Sequence, residues 1–210
     1  MSDLLPLFPL PNVVLFPSVF LPLRVFEPRY REMTAHALDG DRMIGMVLLK
    51  PGWEANYEGR PPVFRVGCTG LITHVERLSD GGYNIVLRGL DRFRIVHEDH
   101  ALSYRRAIVE PLTERPLAPS DRDEVRRNRE KLEALLATWM ETKGADTSTA
   151  AAMADDDLVN ALAQYLDLEP LEKQALLEHD SLSGRASSLV ELLEMKIIMA
   201  RTPGLSHTAH

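Results

Sequence analysis

A single cysteine, Cys68, in 210 residues leaves no internal disulfide framework and no multi-cysteine zinc site. Its neighbours, Arg-Val-Gly-Cys-Thr-Gly, read as strand, so a buried, inert thiol is expected there. No Gly-Lys dipeptide occurs anywhere, which removes the loop that cradles phosphates in nucleotide hydrolases. Gly-x-Gly-x-x-Gly is missing as well, so no dinucleotide cofactor is expected. The amino-terminal stretch is apolar, yet prolines at 6, 9, 11, 17 and 22 interrupt every candidate membrane span, and the opening Met-Ser-Asp lacks the basic patch of a signal peptide. The chain is therefore read as a cytoplasmic protein without a membrane partner. Nor is there an excess of positive charge. The formal net charge is -7; through Arg115 the chain has 14 basic and 14 acidic residues, and after it 10 and 17. That balance argues against nucleic acid as the principal partner, because a duplex-binding surface concentrates Lys and Arg to replace counterions.

What is present divides into two halves of different pattern. Residues 4–26 are too apolar to be solvated and too rich in proline to be helical, so short strands broken by turns remain, with Pro17 and Pro22 at ends, edges or bulges of a small barrel. Pro28 suits a first helical position, and Tyr30, Met33, Ala37 and Leu38 follow on one face of a helix that should plug the barrel. Met43–Leu49 is a buried central strand by its unbroken apolar run. Residues 52–62 are rich in turn formers and form a surface loop carrying Trp53 and Tyr57. Val63–Val75 and Tyr83–Val96 are extended around a hairpin at residues 79–82, with Gly67, Gly70 and Gly89 marking bulges or tight corners, and Tyr104–Leu112 supplies a last strand.

The pattern becomes helical after a proline-containing linker at residues 112–120. Val125, Leu132, Leu135, Leu136, Trp139 and Met140 form one stripe, and Asp155–Asp157 cap a helix carrying Leu158, Val159, Leu162 and Leu166. A short helix starts at Pro170. A last one, from about Leu182 to Arg201, places Leu182, Ala186, Leu189, Val190, Leu193 and Ile197 on one side. The expected architecture is α+β: a β-barrel subdomain over residues 1–115, an antiparallel helical bundle over 116–202 and a disordered tail over 203–210.

No catalytic constellation emerges. His97 and His100 flank Glu98 and Asp99 at a strand end, three residues apart where a metalloprotease helix needs four, and strand alternation turns them to opposite sides. His74 reads as a strand residue. Ser18, Ser79 and Ser181 lack a nucleophile elbow and a paired base. The expectation is a chain that is not an enzyme and needs no metal or cofactor.

Leu5-Pro6-Leu7-Phe8-Pro9-Leu10-Pro11-Asn12-Val13-Val14-Leu15-Phe16-Pro17, followed by Leu21-Pro22-Leu23-Arg24-Val25-Phe26-Glu27-Pro28-Arg29-Tyr30, resembles the opening of the Lon substrate-binding (LON N-terminal) domain family. Val66–Gly70, the Asp80-Gly81-Gly82 hairpin, Arg88–Ile95 and Leu168–Glu178 are similar to later segments of that family in the same order, so the resemblance covers residues 4–201. It implies a PUA-like β-barrel joined to a helical bundle, the module by which Lon proteases engage unfolded or damaged proteins. It also implies a small bacterial protein consisting of this domain alone, without the ATPase and serine–lysine protease modules.

The expected function is thus a non-catalytic recognition module for unfolded or exposed apolar protein segments, an adaptor or chaperone-like partner of an ATP-dependent protease. Trp53 and Tyr57 are the first candidates for contact, because aromatics on such a loop offer large apolar area at little ordering cost. Phe20 joins them if it lies outside the core. The competing arrangement has both loop rings folded back over the barrel. The alternative function is RNA binding by a PUA-like module, which requires a contiguous cluster among Arg24, Arg29, Arg31, Arg88, Arg92 and Arg94. Which proteins are bound, and whether the chain dimerises, is not readable from the residues.

Overall fold

A computed structural model describes residues 4–114, 118–141 and 153–201. The strands are β1 (Leu5–Leu10), β2 (Phe20–Val25), β3 (Met43–Leu48), β4 (Val66–Arg77), β5 (Tyr83–Asp99) and β6 (Arg105–Pro111), with helix α1 (Pro28–Asp39) between β2 and β3. Their order is β2-β5-β4-β3-β1-β6, and β6 pairs back onto β5, which closes the sheet into the expected barrel. Closure is possible because β5 is long enough to serve two partners on one edge: residues 83–88 pair with β2 and residues 93–99 with β6. β4 lies along its other edge in antiparallel register from Val66↔Arg94 to Arg77↔Tyr83.

The prolines fit because the ladder leaves room for them. β1 pairs with β6 through Leu5–Leu7 and, in parallel, with β3 through Leu7–Leu10, so Pro6 and Pro9 each lie where one neighbour alone is paired. Pro22 is on β2, which pairs with β5 alone. The register shifts between Cys68 and Gly70 and between Ile72 and His74 are the bulges that bend β4 around the barrel.

Two apolar clusters lie within this unit. One joins Tyr30, Met33 and Ala37 of α1 to Phe8, Ile44, Cys68, Ile72, Ile85 and Leu87 of the strands, so Cys68 is buried as expected. The other gathers Leu7, Val47, Phe93, Ile95 and Ala107, with Trp53 and Tyr57 packed against it. Phe93 sits where side chains are absent: a Cβ on Gly45 or Gly67 would lie 2.9 or 2.7 Å from its ring tip. Burying such a ring is worth about 2 kcal/mol or more.

The remaining helices are α2 (Pro119–Glu141), α3 (Asp155–Tyr165), α4 (Pro170–Glu178) and α5 (Leu182–Arg201). By compactness the chain divides into residues 1–113 with 160–178, and residues 114–159 with 179–210. This differs from a single break after residue 115, because α4 and the second half of α3 group with the barrel. The cause is polar as well as apolar. The backbone N–H of Phe16 donates to Gln164 Oε1 at 3.1 Å, Gln174 Nε2 donates to the Val66 carbonyl at 3.0 Å, and buried Arg92 donates to the Leu177 carbonyl at 2.8 Å.

In the other unit Val125, Leu132 and Leu136 of α2 and Leu182, Ala186, Leu189 and Val190 of α5 are buried, as their spacing predicts. The side chains of Trp139 and Met140 and the tail 203–210 lie outside the described residues. Arg185 is fully buried and pairs with Glu114, while Glu124 accepts from Ser183 at 2.6 Å and Ser187 at 3.2 Å. Asp155 in the first turn of α3 receives Arg129 Nη1 at 2.6 Å, so the acidic run serves packing. Among the described residues no helix is long and apolar enough to cross a membrane.

Gly89 is the tightest point of the barrel. Its N–H donates to the Val19 carbonyl at 2.8 Å, its carbonyl accepts from Ser18 at 3.0 Å, and a Cβ would meet the Phe16 carbonyl oxygen at 1.9 Å. Gly89→Ala is expected to destabilise the fold by about 3 kcal/mol or more, the upper range of overpacking. Gly52→Ala, at φ +87° but in open space, should cost only about 1 kcal/mol. Urea denaturation of the two variants beside the parent checks the difference; equal losses would contradict it.

Candidate functional site

The loop that follows β3 is shaped at both ends by backbone bonds. Lys50 N–H donates to the Pro62 carbonyl at 2.8 Å, and Leu49 bridges Val63. Gly52, at a positive φ, turns the chain into a short 3₁₀ turn over Trp53–Asn56. The Trp53 and Tyr57 rings then meet edge-on with centroids 5.3 Å apart. Both are half-buried, packed along the cluster around Phe93. The loop rings therefore fold back over the barrel, as the competing arrangement has it, and each keeps part of its surface in solvent.

Polar contacts hold the loop in that position. Tyr57 Oη donates to Glu27 Oε1 at 2.6 Å, and Glu27 is itself paired with Arg29 at 2.9 Å. Arg29 Nη1 donates to the Tyr57 carbonyl at 3.2 Å, with its guanidinium 5.0 Å from the Tyr57 ring and 4.6 Å from the Tyr30 ring. Further along, Arg105 Nη2 donates to the Pro61 carbonyl at 2.6 Å and Arg60 Nη2 to the Leu102 carbonyl at 2.8 Å. Glu27-Pro28-Arg29 thus has two tasks, starting α1 and anchoring the loop. Burial pushes the Tyr57 phenol above its ordinary range, and donation to Glu27 adds to the shift. Burial raises the Tyr30 phenol further and the Tyr104 phenol in the same direction.

Phe20 is elsewhere. It is 50% exposed at the start of β2, opposite Arg88, and its carbonyl accepts from Tyr165 Oη at 3.0 Å. Val25, five residues on, ends the strand, so Phe20 lies roughly 17 Å along the strand from Val25 at 3.3 Å per residue. Phe26, 65% exposed, directly precedes Glu27, the residue that accepts from Tyr57. Sequence reasoning passed over it, although alternation from buried Val25 places position 26 on the outer face.

Four of the six arginines that the RNA reading requires are paired or buried. Arg24 pairs with Asp80 at 3.1 Å, Arg29 with Glu27, and Arg94 approaches Glu110 at 4.0 Å, while Arg92 is buried. Charge interleaved with acids in this way counts against the RNA reading. His97 and His100 are exposed near the end of β5, with His100 Nδ1 2.7 Å from Arg60 Nη1; among the described residues no three His, Cys, Asp or Glu side chains stand together as metal ligands.

Residues 4–195 match the family model described as the ATP-dependent protease La (LON) substrate-binding domain. A Lon protease of Cytophaga hutchinsonii is 26% identical over 222 residues, covering 98% of this chain and 26% of that protein. Lon protease 2 of Myxococcus xanthus is 27% identical over 199 residues, covering 92% and 24% respectively. The chain thus spans about a quarter of the length of these relatives. Among solved structures, the N-terminal domain of a Mycobacterium avium complex Lon protease aligns with a TM-score of 0.73 at 16% identity, covering 91% of this chain and 98% of that one. A Lon N-terminal domain protein from Xanthomonas campestris aligns at 0.60 and 26%, covering 90% and 98%.

The three phenols have folded pKa values above their unfolded value near ~10, so the fold favours their neutral forms. Their contribution to stability is complete below that pH and is lost as pH rises through the folded values. The melting temperature is expected to fall above about pH 10, and absorbance at 295 nm should show part of the tyrosine titration coinciding with unfolding. Tyr57→Phe should cost about 1 kcal/mol and raise deuterium uptake over residues 53–57; unchanged uptake would mean that the Glu27 bond does not hold the loop.

Proposed function

Because this chain belongs to the ATP-dependent protease La (LON) substrate-binding domain family, we propose that it is a non-catalytic recognition module that binds unfolded or exposed apolar segments of proteins in the cytoplasm. In this reading it acts as an adaptor or chaperone-like partner in ATP-dependent proteolysis. The observation that carries the assignment of the surface is the Trp53–Tyr57 pair, half-exposed and held edge-on by the Tyr57–Glu27 bond. Aromatics ordered before binding offer apolar area without a further entropic cost. Phe26 extends this surface, and Phe20 with Tyr165 supplies a second exposed apolar position.

The test is binding of a chemically unfolded, fluorescently labelled protein, compared with its native form and followed by anisotropy. The parent chain should bind the unfolded form selectively. Trp53→Ala/Tyr57→Ala, shown by circular dichroism to remain folded, should weaken it roughly tenfold or more, the effect of losing a hot-spot aromatic. Phe26→Ser should weaken it less. Equal binding of native and unfolded forms would overturn the recognition reading. Undiminished binding by the folded double variant would move the surface away from the loop.

A further inference from the structure

Beneath the loop lies a cavity of about 130 Å³ whose walls include Arg29, Arg60, Arg105, Tyr30, Tyr57 and Tyr104. The three guanidiniums are not equally compensated. Arg29 is neutralised by Glu27 at 2.9 Å. Arg105 is 7% exposed; its Nη2 holds the Pro61 carbonyl, but its buried Nη1 makes no hydrogen bond. Its counter-charge is Glu98, whose Oε2 forms an ion pair with Nη1 at 3.7 Å, too long for a hydrogen bond. Arg60 makes no ion pair among the described residues, and its partners are His100 Nδ1 and the carbonyls of His100 and Leu102. A guanidinium 2.7 Å from an imidazole nitrogen needs that nitrogen as an acceptor, so His100 offers a lone pair and no negative charge. Arg60 is therefore the one of the three guanidiniums without a carboxylate at ion-pair distance among the described residues. The single lining carboxylate, Glu58, is exposed and makes no ion pair with the three guanidiniums among the described residues.

We propose that this cavity receives the terminal carboxylate of a bound protein chain, with Arg60 as its donor and the buried charge of Arg105 beside it. The single uncompensated charge suits a monoanion better than a phosphate dianion. The volume admits a carboxylate with a few carbons and not a folded surface, and Pro9, Leu49 and the tyrosine rings give the carbons an apolar wall. An internal acidic side chain would carry main chain on both sides and needs an open groove. The proposal rests on the recognition reading above and names the chemical feature recognised. Burial lowers the pKa of Arg105; the charge of Glu98 opposes that shift, and the charges of Arg60 and Arg29 add to it.

The test uses three labelled apolar peptides: one with a free carboxyl terminus, its carboxamide, and the carboxamide with an internal Glu. The free acid should bind about tenfold tighter than either carboxamide, the scale of one charge-assisted hydrogen bond. Arg60→Gln should erase that difference when acid and carboxamide are compared on the variant itself, while Arg60→Lys, which keeps the charge, should retain part of it. Melting curves confirm that both variants fold. Equal affinity for acid and carboxamide would overturn the cavity assignment and leave apolar recognition standing. Should no peptide bind, N-acetyl-leucine against its amide separates the two ideas: amide shifts in the NMR spectrum caused by the acid alone, and abolished in Arg60→Gln, would support the cavity while the recognition reading fails. The absence of such shifts would overturn both. Inorganic phosphate competing as well as N-acetyl-leucine would overturn the choice of a carboxylate.

Discussion

At Gly89 the carbonyl oxygen of Phe16 occupies the space in which any other residue would carry its Cβ, and backbone bonds to Ser18 and Val19 lock the approach. Much of the first unit follows from this contact. It brings the segment before β2 across β5 near the point where β5 changes partners, from β2 to β6. It also accompanies the full burial of Phe16, whose N–H is satisfied by Gln164. A buried N–H left without an acceptor costs about 1–3 kcal/mol, so the glutamine is an efficient reason for residues 160–178 to group with the barrel. Gln174 and Arg92 repeat the same device, each satisfying a main-chain carbonyl across that junction.

The loop beneath which the cavity lies is held by similar means. Arg29, Arg60 and Arg105 donate to main-chain carbonyls at Tyr57, Leu102 and Pro61, and Tyr57 returns a bond to Glu27. Each such bond is worth about 1 kcal/mol net, less than the apolar packing of Trp53 and Tyr57, but it has direction and so decides where the loop rests. The same arginines bring more positive charge under the loop than Glu27 and Glu98 offset. The bonds that order the two aromatic rings therefore also build an electrostatic feature beside them.

β2 is poorly suited to pairing with a further strand. It pairs with β5 alone, yet Pro22 removes a donor from its middle and Arg24 places a charge on its exposed face. Such features blunt an edge against pairing with another chain. The apolar groups left exposed in this region, Phe20 and Phe26, stand at either end of the strand.

Strand and helix positions were readable from residue pattern because they depend on local rules. Alternation and apolar runs marked β3 to β6, Pro28 marked the start of α1, and the spacing of Val125, Leu132 and Leu136 marked the buried face of α2. The resemblance of residues 4–30 pointed to the family. For the candidate site, the sequence singled out Trp53 and Tyr57 by composition of their loop, but it could not say that Glu27 and Arg29 hold them. Those partners lie 30 and 28 residues away for Tyr57, and nothing local links them. The cavity was invisible for the same reason, since Arg29, Arg60 and Arg105 come from a helix, a loop and a strand. The grouping of α4 with the barrel depended on single polar atoms, Gln164 Oε1 and Gln174 Nε2, meeting backbone groups more than 100 residues away. By itself the sequence determined the main elements and most of their buried faces, because both follow from short-range pattern, and its motifs resembled those of the family. Only the tertiary structure decided which charges and carbonyls meet, because that depends on closure of the barrel.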